Sequence, residues 1–213
     1  MAHTERAVRA SGSQSRGRPR EFDRDEAVRK AMELFWKNGY MQTTLGDLCK
    51  VMNISAPSFY CAFDTKETLF IEAAGHYLQI YWQPVLKRLM EEKDIYLGIK
   101  NFLNEAVQIY MRPGLPTGCF LDISTFGLPQ SEKRIAQFLE NSEKMTMDLF
   151  RSRFMAAIKA GQIPPESDIP AIIGSLFAFL KGVASIARKD LCLSELAVIA
   201  AQGLWLLPAR KGQ

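Results

Sequence analysis

The segment that most constrains this chain is residues 44–63, which carries its own start and stop signals twice over. Thr44 precedes Leu45, Leu48 and Met52, apolar positions at helical spacing, and Asp47 lies three residues on, where a carboxylate can reach back to the cap. The segment stops at Asn53, a residue type that tolerates the left-handed backbone of a tight turn. Ser55 then opens a second helix with Pro57 in its first turn, where a missing N–H costs little; this helix carries Phe59 and Tyr60 and ends near Phe63. Two short helices joined by Asn53-Ile54-Ser55 predict a helix-turn-helix over about 43–63. In such a unit the first helix braces and the second offers its N-terminal residues to a major groove. Small side chains at Ser55, Ala56 and Ser58 permit close approach, and N–H groups at a helix start suit phosphate.

The flanks are helical too. Asp23 caps a helix over Phe22 to Gly39, with Glu26 at the matching third position and Val28, Ala31, Met32, Leu34 and Phe35 as its apolar stripe. A fourth helix starts at Asp64 or Thr65 and runs to about Trp82, where Pro84 bends or restarts it. Helical patterns follow near 85–92, 94–111, 130–160, 168–189 and 194–207, with a Pro/Gly-rich loop, Arg112 to Gly118, and a short apolar piece, Cys119 to Leu128, between the second and third. No alternating strand pattern of useful length occurs, so the expected fold is all-α, with about nine helices. The expected division is a flexible basic arm at 1–20, a helix-turn-helix DNA-binding domain at 21–81, and a larger helical domain at 82–213.

Charge placement supports a nucleic-acid partner. The 27 Lys+Arg exceed the 23 Asp+Glu by four, and the first twenty residues hold five Arg and one acid, so all of the excess lies in the arm. Four Cys without a CxxC pair fit reduced thiols, and two His leave a zinc site or a His-based triad short of residues. No phosphate loop, GxSxG or HExxH motif is present; catalytic residues, a metal and a cofactor are not expected. The basic N-terminus lacks an apolar signal core, and the apolar run Ile169 to Ala187 is broken by Lys181, so a cytoplasmic protein is expected. The competing classes are an enzyme and a helical interaction protein; neither accounts for a basic arm leading into a helix-turn-helix, and neither predicts salt-dependent duplex binding.

The closing helices are apolar around most of their circumference, which asks for burial on more than one side. A second copy of the chain is the expected cover, with Ile173, Phe177, Leu180, Ala184, Val198, Ala201 and Trp205 as dimerisation residues.

Residues 16–70 resemble the DNA-binding domain of the TetR/AcrR family of bacterial transcriptional regulators. The resemblance rests on Arg16-Gly17-Arg18-Pro19-Arg20, on Ala31 to Tyr40 (AMELFWKNGY), on Thr43-Thr44, on Ile54 to Phe63 (ISAPSFYCAF) and on Lys66 to Phe70 (KETLF), with ungapped spacing. It implies phosphate contacts from Thr43, Thr44, Tyr60 and Lys66, and a recognition-helix front made by Ser55, Ala56, Pro57, Ser58 and Phe59. Asp64 departs from a position where relatives often carry Gly, and is expected to cap the fourth helix; Cys61 is expected to pack away from DNA. The recognition helix lacks Arg, Asn or Gln for bidentate base reading, so Ser58, contacts to thymine methyls, and Arg18 or Arg20 in a minor groove are the expected sources of specificity.

For residues 82–213 the resemblance implies an effector-binding and dimerisation domain, with a pocket for a small apolar or aromatic ligand. The candidate lining is Tyr77, Tyr81, Phe102, Tyr110, Phe120, Phe126, Phe138, Met145 and Phe177, each with plain core packing as its alternative. Asp122 and Lys181 are the charges most conspicuously set in apolar surroundings. Cys119, behind a Gly-containing loop, is the alternative sensor, a thiol for electrophiles or oxidants. The expected mechanism is a ligand-driven tilt of the fourth helix that changes the spacing of two recognition helices, which must match half-sites about 34 Å apart. That the regulator is a repressor relieved by its ligand is implied by the resemblance alone.

Overall fold

A computed structural model describes residues 22–210. The basic arm, with Arg18 and Arg20, lies outside the described residues. Ten α-helices follow one another: α1 (Arg24–Asn38), α2 (Leu45–Met52), α3 (Ala56–Phe63), α4 (Lys66–Tyr77), α5 (Gln83–Glu91), α6 (Ile95–Tyr110), α7 (Phe120–Ser124), α8 (Lys133–Lys159), α9 (Ile169–Ile186) and α10 (Leu193–Ala201). No strand occurs among the described residues. The fold is all-α, with an N-terminal helix-turn-helix bundle and a larger helical body.

The caps explain the N-terminal bundle. Asp23 accepts from the N–H groups of Asp25 and Glu26 and so satisfies two orphan donors of α1. Thr44 and Asp47 form a reciprocal capping box at α2, and Ser55 accepts from the Ser58 N–H at α3. Asn53 takes the left-handed conformation, φ 56° and ψ 47°, which lets α3 start after a turn of three residues. Asp64 differs from expectation. It does not cap α4; it terminates α3 at φ 63°, and the Thr65 hydroxyl caps α4 by accepting from the Thr68 N–H. A positive φ at this joint is the physical reason for glycine at such a position.

α4 links the bundle to the body. Leu69, Phe70, Ala73, Ala74 and Tyr77 are fully buried along it. Past Tyr77 the helix widens into a π-turn, Leu78–Trp82, before α5 begins with Pro84 in its first turn. A proline inside a continuous α-helix would clash with the carbonyl four residues back, and the widened turn relieves that clash. In the body, α6 packs against α5, α8, α9 and α10. The Arg153 guanidinium on α8 donates to the carbonyls of Leu89, Glu92 and Lys93, so it closes the C-terminal end of α5.

The dimerisation assignment divides. α9 has the length and apolar character of a membrane span, yet it packs against α6, α8 and α10. Ile173 and Ala184 point into this chain's own core, so they are not available to a partner. Phe177 and Leu180 turn toward a cavity. On the outer surface Ala171, Gly174, Ser175, Ala178, Gly182 and Ser185 leave α9 a face of small residues. Val198, Ala201 and Trp205 are exposed, Trp205 at 85% of its surface.

Candidate functional site

The exposed front of α3 consists of Ser55, Ala56, Pro57, Tyr60 and Cys61, with Ser58 half-buried. The Ser55 and Ser58 hydroxyls lie 2.9 Å apart and steady one another at the helix start. Tyr60 projects outward while Phe59, at 0% exposure, packs 5.6 Å from Phe63. Phe59 therefore anchors the helix from below and is not part of its outward front. Cys61 is exposed, contrary to expectation, because it lies one turn after the exposed Pro57 on the same face of α3.

Around the helix, Thr43 is buried and its hydroxyl donates to the Gly39 carbonyl at 2.7 Å, so its side chain is a turn closure rather than a phosphate donor. Thr44 is exposed, but its hydroxyl donates to Asp47 at 2.6 Å. That bond and the Thr44 N–H hold the Asp47 carboxyl below its ordinary value. Lys66 folds back: its ammonium donates to the carbonyls of Tyr40 and Thr43, both at 3.1 Å, and sits 4.2 Å from the Tyr40 ring centre. Burial lowers the Lys66 pKa. Of the three residues, only Thr44 combines exposure with a position at a helix start.

The turn that Lys66 clamps is tied to the body. The Tyr40 N–H donates to the Ser124 carbonyl at 2.8 Å, and the Ser124 hydroxyl, fully buried, donates to the Phe35 carbonyl at 3.0 Å. Phe120, one turn earlier on α7, stands 5.9 Å from Trp36, 5.6 Å from Phe70 and 5.2 Å from Tyr77. The short helix α7 is thus welded to α1 and α4. Gly118, just before it, has φ 92°, and a Cβ there would lie 2.9 Å from the Ala184 carbonyl. Only glycine lets this loop cross α9 so closely.

The other side of α7 faces a cavity of about 280 Å³. Leu78, Trp82 and Leu86 wall it from the π-turn and α5, Phe102 and Tyr110 from α6, and Phe177 and Leu180 from α9. Leu121 and Leu139 complete the apolar lining. Polar groups enter from Cys119, Asp122 and Thr125 beside α7, from Ser142, Glu143 and Thr146 on α8, and from Lys181 on α9. Lys181 pairs with Glu143 at 3.0 Å. Burial pushes the Asp122 carboxyl up, with Lys181 opposing that shift and Glu143 adding to it.

Of the nine expected lining residues, Phe102, Tyr110 and Phe177 reach the cavity. Tyr77 and Phe120 are fully buried in the aromatic cluster with Trp36, and Tyr81 packs against Tyr77 and Trp36. Phe138 is half-buried on α8 outside the cavity wall. Phe126 and Met145 are exposed, at 88% and 69%. The lining residues Ser142, Glu143 and Thr146, with Leu139, share one face of α8 at helical spacing; polar residues continuing the face of Leu139 were the available signal. Cys119 lines the cavity but is buried. Desolvation and the neighbouring Asp122 push its thiol up to about 12, opposite to what a reactive thiolate needs. Among the described residues no cluster of His, Cys, Asp and Glu can hold a metal ion.

Residues 27–73 match the family described as bacterial regulatory proteins, tetR family. Over 195 residues the chain is 31% identical to the HTH-type transcriptional repressor ComR of Escherichia coli (strain K12), which spans 91% of this chain and 93% of ComR. Among solved structures, the TetR family transcriptional regulator CifR, a cysteine mutant complexed with 26-bp double-strand operator DNA, aligns with a TM-score of 0.84 at 28% identity, over 90% of this chain and 100% of that one. FadR of Bacillus subtilis, solved in complex with stearoyl-CoA, shares the fold alone: its TM-score is 0.70 at 14% identity, over 84% of this chain and 96% of that one.

Proposed function

This chain belongs to the TetR family of bacterial transcriptional regulators, and from that premise we propose that it is a cytoplasmic homodimeric repressor released from its operator by a small molecule bound in the cavity between α5, α6, α8 and α9. The observation that carries this reading is the double role of α7. Its segment supplies Leu121 and Asp122 to the cavity, and its Ser124 is hydrogen-bonded to both Phe35 and Tyr40 at the end of α1. A ligand that displaces Leu121 or Asp122 pulls directly on the turn that starts α2.

The proposed DNA surface is the exposed front of α3, Ser55, Ala56, Pro57, Ser58 and Tyr60, with Thr44 on phosphate and Arg18 and Arg20 from the arm. In this reading residues 21–81 contact DNA and 82–213 sense ligand and dimerise, with the π-turn as the joint between them. Two recognition helices must sit about one helical turn of DNA apart, so a small rotation of α4 costs much affinity. Trp205, Val198 and Ala201, exposed beside the small-residue face of α9, form the proposed dimer surface. The thiol-sensor alternative at Cys119 is disfavoured by its buried, protonated state.

Fluorescence anisotropy of the full chain on the DNA upstream of its own coding sequence tests this, against a scrambled duplex and across a salt series. Tight, selective binding whose salt slope falls when Arg18 and Arg20 are changed to Ala supports the reading. Equal binding to both duplexes locates the operator elsewhere, and no binding by folded protein at low salt overturns it. If the Arg18→Ala and Arg20→Ala losses are the same on AT-rich and GC-rich flanks, minor-groove reading by the arm is wrong.

A further inference from the structure

The cavity carries a charge arrangement that selects among ligands. Its one lysine, Lys181, is already committed to Glu143 at 3.0 Å. Among the described residues the remaining carboxylate, Asp122, which enters the cavity from α7, makes no ion pair within 4.0 Å, and Lys181 acts on it only from farther off. Trp82, Phe102 and Tyr110 form an aromatic corner of the same cavity, with ring centres 5.8 Å apart for Trp82 and Phe102 and 5.9 Å for Trp82 and Tyr110. Tyr110 is 2% exposed, lines the cavity, and its hydroxyl has no hydrogen-bond partner among the described residues.

We propose that the cavity binds a monocationic amphipathic molecule, an aromatic or branched apolar body bearing one ammonium-type head, with the head beside Asp122 and the body in the corner of Trp82, Phe102 and Tyr110. A largely desolvated carboxylate without a direct ion-pair partner is costly, and a cation removes that cost. The same rings attract a cation through their faces. A neutral guest leaves Asp122 unpaired, and an anionic guest must displace Glu143 from Lys181 while facing Asp122. The head lies against Asp122, two residues before Ser124, so its arrival loads the helix that is hydrogen-bonded to Phe35 and Tyr40. This inference rests on the ligand-released regulator reading, and names the ligand class for it.

Isothermal titration calorimetry of the full chain with benzyltrimethylammonium, with its neutral isostere neopentylbenzene and with the anion benzylsulfonate tests the proposal. The cation should bind at least tenfold more tightly than either analogue. Asp122→Asn, with the circular dichroism of the parent protein, should erase that preference. Lys181→Met should leave the cation bound and Phe102→Leu, which removes a ring of the corner, should weaken it several-fold, so the result does not hang on one variant. Equal or tighter binding of the neutral isostere, or a cation affinity unchanged in Asp122→Asn, overturns the proposal. So does preference for the sulfonate that is lost in Lys181→Met. Anisotropy on the operator duplex is run in parallel. Operator binding without cation binding sinks the ligand class alone, whereas cation binding by a chain that ignores DNA sinks the regulator reading and leaves the site standing.

Discussion

The buried hydroxyl of Ser124 donates a 3.0 Å hydrogen bond to the carbonyl of Phe35, a residue 89 positions earlier in the chain. The same residue's carbonyl accepts from the Tyr40 N–H at 2.8 Å. One residue of the cavity-bearing helix therefore holds the last turn of α1 and the turn that follows it. Ser124→Ala keeps the backbone bond and removes the hydroxyl. A stability loss of about 1–2 kcal/mol is expected, which in a chain of this size lowers Tm by roughly 2–8 °C. Operator affinity without ligand should stay within a few-fold of the parent, while the ligand-induced loss of affinity shrinks. A full ligand response in Ser124→Ala would show that α7 is not the transmitting element.

Asp64 sits at φ 63° and ψ −59°, where side chains other than glycine are strained. Asp64→Gly should stabilise the fold by about 1 kcal/mol, the relief of strain exceeding the added freedom of the unfolded chain. It also deletes a carboxylate from the end of the recognition helix, so DNA affinity should rise, most at low salt. Urea melts and anisotropy measure the two effects. Lower stability in the variant would mean that Asp64 makes a compensating contact.

Three of the four cysteines should separate by reactivity. Cys61 and Cys192 are exposed, whereas Cys119 is buried and its thiol is pushed up to about 12 from an ordinary 9.0. A raised folded pKa means that burial stabilises the neutral thiol. That contribution is complete below pH 9 and is lost as pH rises through 12. At pH 8, iodoacetamide followed by peptide mass mapping should modify Cys61 and Cys192 within minutes and Cys119 only in urea. Early labelling of Cys119 in native protein would restore the thiol sensor as the leading alternative.

Trp205, 85% exposed in the single chain, should be covered in the dimer. Trp205→Glu places a charge at the centre of that surface and should convert a two-chain species to one chain in sedimentation velocity. Val198→Glu should do the same, and both variants should lose operator affinity by orders of magnitude while retaining helix content. A parent protein that sediments as one chain, or a dimer indifferent to both changes, would place the interface elsewhere.

What the sequence by itself determined is local. Asp23, Thr44 with Asp47, Asn53, and Ser55 with Pro57 stand in the structure where their chemistry placed them, because a cap or a left-handed turn is decided within four residues. The helix-turn-helix and the all-α class follow from those signals and from helical periodicity. The tertiary structure decided which inward-facing aromatic meets a cavity and which meets another ring. Tyr77, Phe120 and Tyr110 look alike along the chain, yet the first two close onto Trp36 and the third faces open space. Periodicity reports only that a side chain points away from water; what it points at depends on helices dozens of residues away. Lys66 makes the same case among polar residues: its place beside the recognition helix was legible, but its engagement with the Tyr40 and Thr43 carbonyls exists only once α4 packs against the end of α1.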